Sequence, residues 1–343
     1  MRALFAVVIS ALLVLPAAGS LPAGGDFTSL DEVNRWMANY RAQPQPDRLP
    51  AAVRALARLG ALKEAEGAGV YVGFIAGVIG ANPDKAEDLI QRMLAATDTE
   101  QWAIVRAIAY SGHPDWKLWL HKFAERMPTR KVMIDKYLEG GLQKLENVPL
   151  ERRAPTLWEK LRSGLGWESE RPVLEITFEK SPELLDTLWG YYFGTGSARP
   201  IGRIIALLPW ANDHDSVDKL TIGNMAKYTL ASNASRDGEL LAMLKRAHKR
   251  QTGKIASVLG EVIFAAETME TALLRKQALA AIEELKRKGP GYKRDISTWG
   301  QIGQGALALG CIVAATTGHV ELGLPCIIGG AASGAALSVW SGQ

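Results

Sequence analysis

Apolar residues recur at helical spacing along almost the whole chain, and that periodicity predicts helices rather than strands. Ser29-Leu30-Asp31-Glu32 reads as a capping box that opens a helix running to about Arg41. Gln43-Pro44-Gln45-Pro46 breaks the chain, and apolar residues return at helical spacing over 49–62. Positions 67–79 are apolar on every side, the pattern of a helix buried all round. Asn82-Pro83 is a cap followed by proline at a helix start. Further helices are predicted over 84–95, 99–110, 114–126 and 129–138.

The stretch 139–171 is less regular and richer in charge, with one short helix predicted near 157–161. Residues 173–178 alternate like a strand but have no evident partner, so they read as an extended segment. Ser181-Pro182 opens a second helical series that continues to about 288, where Gly289-Pro290-Gly291 ends it.

Within these two series the chain echoes itself. Gly73-Phe-Ile-Ala-Gly77 leading to Pro83 aligns without gaps on Gly190-Tyr-Tyr-Phe-Gly194 leading to Pro200. A weaker match follows in the same order, from Ala109 to Asp115 against Ala231 to Asp237. Gly73 with Gly77, and Gly190 with Gly194, stand four apart on one helix face, where another backbone can approach closely. The expected fold is all-α: a multi-helix bundle of two related helical-hairpin halves with a C-terminal glycine-rich apolar hairpin. The expected organisation is a signal peptide at 1–20, a first helical half at 21–138 and an irregular linker at 139–180. A second half at 181–290 and the hairpin at 291–343 follow.

The last 48 residues, 296–343, carry one formal charge, Glu321. Such a segment buries itself in the protein's own core, in a partner or in a membrane. Two apolar helices are predicted, at 301–317 and 323–340. Gly330 and Gly334 stand four apart, as in close-packed membrane helices, and Trp299 and Trp340 bracket the pair as interfacial aromatics would. Three features oppose spanning. Both segments are short against the roughly 20 residues a bilayer requires, Glu321 would have to cross, and the basic flank would lie on the exported side. Cys311 and Cys326 form either a staple across this hairpin or two buried thiols.

The N-terminus reads as a secretory signal: Arg2, an apolar run over 3–15, then the small residues of Pro16-Ala17-Ala18-Gly19-Ser20. A periplasmic or secreted location is expected, with membrane association through the tail. The composition is that of an ordinary globular protein, 48% hydrophobic and 22% charged. A net charge of +4 gives no support for nucleic-acid binding. Basic residues cluster twice, at Lys245, Arg246, His248, Lys249, Arg250 and Lys254, and at Lys286, Arg287, Lys288, Lys293 and Arg294 beside the tail. They read as solvated faces or as contacts to anionic lipid, since a polybasic patch next to an apolar segment supplies two membrane signals.

Signals for chemistry are weak. Asp213-His214-Asp215 with Asp218 reads as helix-start capping before it reads as a metal site. No Gly-x-Ser-x-Gly elbow or His-Glu-x-x-His motif occurs. Glu168-Ser169 matches the Glu-Ser pair of peptidoglycan-cleaving enzymes, in which the glutamate is the general acid, only in those two letters. Trp102, Trp116, Trp119, Trp189 and Trp210 fall on core-facing positions. No cofactor is expected.

The segments Leu188-Trp-Gly-Tyr-Tyr-Phe with Arg199-Pro200, and Ala226 to Asn233, resemble a set of uncharacterised exported α-helical proteins of proteobacteria. The resemblance implies a fold and a compartment and brings no activity with it. The expected function is non-enzymatic binding in the bacterial envelope, to an envelope protein, to further copies of the chain or to an anionic membrane surface. The alternatives are a membrane-inserting protein that uses the hairpin and an envelope hydrolase built on carboxylates such as Glu168, Glu175 or Asp213.

Overall fold

The computed structural model describes residues 26–63, 65–94, 99–147, 182–213, 217–268 and 280. The fold is all-α, with twelve α-helices and no strand among the described residues. The first series comprises α1 (Leu30–Asn39), α2 (Leu49–Arg58), α3 (Gly69–Ala81), α4 (Pro83–Leu94), α5 (Gln101–Tyr110), α6 (Trp116–Phe123) and α7 (Lys131–Leu138). The second comprises α8 (Pro182–Thr195), α9 (Ala198–Ala206), α10 (Val217–Ala234), α11 (Gly238–His248) and α12 (Gly253–Thr268).

The local signals act as their chemistry requires. Ser29 Oγ accepts from Glu32 N–H at 3.3 Å, while the Glu32 carboxylate reaches one residue further back than a capping box needs and accepts from Thr28 N–H at 2.7 Å. Pro83 stands at the first position of α4, where its missing N–H costs nothing. The uniformly apolar run becomes α3, buried from Gly69 to Ile79.

The centre of the body is α3 packed on α8. Contacts rise together along both helices, from Gly69 beside Glu183, through Gly73 beside Thr187, to Gly77 beside Tyr191 and Thr195. The two helices therefore run parallel. A methyl on Gly73 would lie 2.0 Å from Thr187 O, and one on Gly190 would lie 2.0 Å from Val70 O. The same distances at Gly77 to Tyr191 O and at Gly194 to Phe74 O are both 2.9 Å. Each contact maps onto the other under the alignment that pairs Gly73 with Gly190, so the interface has local two-fold character. Gly73 and Gly77 thus face α8 and Gly190 and Gly194 face α3 along one seam, while Gly330 and Gly334 lie outside the described residues.

Side chains beside this seam recruit the next layer. Phe74 of α3 packs edge-on against Trp36 of α1 and Tyr40 at its C-terminal cap, with ring centroids 5.2 Å apart in both pairs. Trp189 of α8 is fully buried and donates its indole N–H to Thr229 Oγ1 of α10 at 3.0 Å. Beyond that layer the two series diverge. α5 lies along α3, whereas α10 packs mainly on the short helical turn Leu208–Asn212 and on α12. Of the tryptophans expected in the core, Trp116, Trp119, Trp189 and Trp210 are buried. Trp102 is half-buried and donates its indole N–H to Leu62 O at 3.0 Å.

Residues 139–147, where the irregular linker was expected to begin, hold Gly140 in the left-handed region at φ 82° and one short helical turn, Leu145–Asn147. The rest of that linker, the leader and the hairpin at 291–343 lie outside the described residues.

Gly73→Ala and Gly190→Ala should each lower stability by about 3 kcal/mol, because the helices must separate to admit the methyl. Gly202, in α9, faces open space, so Gly202→Ala should instead stabilise by roughly 0.5–1 kcal/mol through helix propensity. Urea unfolding midpoints of the three variants check both signs; equal effects at all three positions would contradict the seam.

Candidate functional site

Three polar constellations stand out, two of them formed where the two helical series meet and one on the surface of the second series. The first is at Arg41, just past the end of α1. Its guanidinium reaches Tyr192 Oη of α8 at 2.7 Å and Asp237 Oδ2 at 2.5 Å, and also meets the Glu239 carboxylate. The guanidinium lies 4.5 Å above the centre of the Tyr192 ring. Tyr192 Oη donates to Asp237 Oδ2 at 2.8 Å. Asp237 Oδ1 caps α11, accepting from Glu239 N–H and Leu240 N–H at 3.0 Å each.

Burial works to raise the Asp237 pKa, but the Leu240 N–H, the Tyr192 hydroxyl and Arg41 outweigh it and hold the carboxyl below its usual range. Burial and the bond to Asp237 push the Tyr192 hydroxyl well above its ordinary value. Both Asp237 oxygens each accept two hydrogen bonds, so the carboxylate is committed to joining α1, α8 and α11. The outer contact to Glu239 adds little, since that side chain is 83% exposed.

The second constellation is interior. Arg106 of α5 pairs with Glu183 of α8 at 2.6 Å, with side chains only 13% and 8% exposed. Arg106 also faces Tyr110 and Tyr137. Burial opposes its charge, and the two tyrosine hydroxyls with the Glu183 carboxylate more than offset this, so its pKa is raised. Burial pushes both tyrosines up. Removing one partner of such a pair strands a buried charge, at a cost of about 3–5 kcal/mol.

The third constellation faces outward. Arg246, Lys249 and Arg250, three and four apart at the C-terminal end of α11, are exposed, as is Lys254 in the first turn of α12. None of the four makes an ion pair with a described residue. Their neighbours are already engaged: Lys245 with Glu267 at 2.6 Å, and Lys227 with Glu261 at 2.5 Å. His248 turns inward, its Nε2 lying 3.1 Å from Ala256 O. Phe264 is 60% exposed on α12.

No family model, curated protein or solved structure matches this chain.

The residues singled out in the sequence are distributed unevenly. Gly73, Gly77, Gly190 and Gly194 come together at the helix seam. The basic residues of 245–254 form the exposed corner, apart from Lys245 and His248. Lys286, Arg287, Lys288, Lys293, Arg294, Trp299, Gly330, Gly334, Trp340, Cys311 and Cys326 lie outside the described residues, as do Glu168, Ser169, Glu175 and His214. Asp213 ends the turn Leu208–Asn212 in extended backbone. His113 stacks on Trp119 with centroids 4.4 Å apart, a packing role. Among the described residues no three His, Cys, Asp or Glu side chains gather into a metal-binding group.

Arg41, Glu183 and Arg106 carried no signal in the sequence. Asp237 carried a faint one, as the last residue of the weaker echo: it and its counterpart Asp115 both stand at helix N-caps.

Asp237→Asn keeps a capping side chain but removes the charge that Arg41 meets. It should cost roughly 1–3 kcal/mol at neutral pH. A carboxyl depressed in the folded state contributes its stability above the unfolded value of about 3.9 and loses it as pH falls through the lower native value. The gap between wild type and variant should hold constant above pH about 5 and close below about 4. Urea titrations across that range measure it, and a gap that persists in strong acid would rule out the charge as its source.

Proposed function

We propose that this is an exported, non-enzymatic protein of the bacterial envelope that acts by binding. The supporting observation is the arrangement of charge. Arg41, Asp237, Arg106 and Glu183 are turned toward one another across helix contacts, where they lock the body. The cations at the α11–α12 corner are turned outward and left for a partner. The apolar leader at 3–15 supports export, and the second basic cluster precedes a tail with a single formal charge. The partner would be an envelope protein, another copy of the chain or an anionic membrane surface.

A membrane-inserting mode is the second reading, favoured by the composition of residues 296–343. No helix among the described residues is long and apolar enough to cross a membrane, so insertion would fall to the tail.

Fractionation of cells making the full chain, beside a version ending at Arg294, tests both. Recovery in the periplasmic or membrane fraction is expected for the full chain; recovery in the cytoplasm alone would sink the envelope reading. Release of the shortened chain from membranes that retain the full one would make the tail a membrane element. Loss of a shortened chain whose full form is soluble would make the tail part of the core.

A further inference from the structure

We infer that the α11–α12 corner is a docking surface for an anionic phospholipid bilayer. This deepens the reading of the protein as an envelope binding protein and rests on it. Arg246, Lys249 and Arg250 share one exposed face at the C-terminal end of α11, and Lys254 continues the positive surface into α12.

Helix dipoles account for only part of this. Cations complement the carbonyl end of α11, but Lys254 stands at the amino end of α12, where a positive charge is unfavourable. Internal ion pairing does not account for it either. The acidic side chains facing out of α12, Glu261 and Glu267, are taken by Lys227 and Lys245. The four remaining cations are a net positive surface with no partner among the described residues.

Phe264 decides the kind of polyanion. Spacings of three, four and three residues carry the outer face of α12 from Lys254 through Ser257 and Glu261 to Phe264, all exposed. Three of the cations stand at the end of α11 and Lys254 at the start of α12, while the Phe264 ring lies further along the outer face of α12, beyond Glu261, whose charge Lys227 meets; a headgroup region accommodates both, with charge meeting phosphate and the ring entering the acyl boundary. A sugar–phosphate duplex would use the charge and leave the ring in water. In sequence, α12 is followed by a second basic cluster and then the apolar tail.

Each basic residue near an anionic surface contributes about 1 kcal/mol, weakened by salt. The test is flotation of the purified full-length protein with vesicles of phosphatidylcholine alone and of equal parts phosphatidylcholine and phosphatidylglycerol. It is repeated with the triple variant Arg246→Gln, Lys249→Gln, Arg250→Gln and with Phe264→Ser, each checked for unchanged helicity by circular dichroism.

The expected result is preference for the anionic vesicles, lost on adding salt. Affinity should fall on the order of a hundredfold in the triple variant and roughly tenfold in Phe264→Ser. Flotation that is equal on both vesicles and insensitive to the triple variant would overturn the corner while leaving an envelope role through the tail. Absence of flotation would also overturn it, and the fractionation experiment would then decide separately whether the envelope reading survives. Retention of a DNA duplex through the same three cations, without flotation, would overturn it in favour of nucleic acid.

Discussion

Carbonyl oxygens of α8 lie where methyl groups would otherwise stand on α3, and carbonyl oxygens of α3 lie where they would stand on α8. Two backbones in contact leave no room for side chains between them, so every larger side chain on these helices must point elsewhere. Phe74 goes to α1 and Trp189 to α10. The seam thereby determines which helices form the second layer and at what distance. Membrane helices use the same device, where close van der Waals contact stands in for the hydrophobic effect. Here it sits inside a body whose outer layers bury ordinary apolar side chains, and the two driving forces combine.

Polar groups then make the arrangement specific. A glycine seam alone would tolerate sliding by one helical turn, since the glycines repeat every four residues. Arg106–Glu183 and Arg41–Asp237 each join one helical series to the other, and each would be broken by such a slip. With the first pair nearly sealed from water, a register error would leave unpaired buried charge. Such pairs add little net stability over an apolar replacement, and their value here lies in excluding the wrong register.

The outward-facing cations follow a different logic. A buried network must be saturated because unsatisfied charge in the interior is expensive. A surface charge carries no such obligation, and a cluster of unpaired like charges raises its own repulsion. The four cations at the α11–α12 corner bear that repulsion without relief from any described residue, as a surface that meets an external anion would.

Local signals read directly in the sequence. The Ser29 cap, the proline starts at Pro83 and Pro182, the all-apolar α3 and the paired glycines each depend on residues within one or two helical turns, and that range is what periodicity and capping report. The first basic cluster was legible for the same reason. The meeting of Gly73 and Gly77 with Gly190 and Gly194 was not: the sequence showed two surfaces fit for close approach, and only folding paired them with each other. Arg41 with Asp237, and Arg106 with Glu183, lie too far apart along the chain for spacing to reveal, and each residue alone looks like a solvated charge. Helices, their caps and the faces able to touch are set by neighbouring residues and were therefore readable from the chain before folding. Which faces met, which charges were sealed inside and which stayed exposed were settled by packing between residues far apart along the chain, beginning with the backbone contact at the glycine seam.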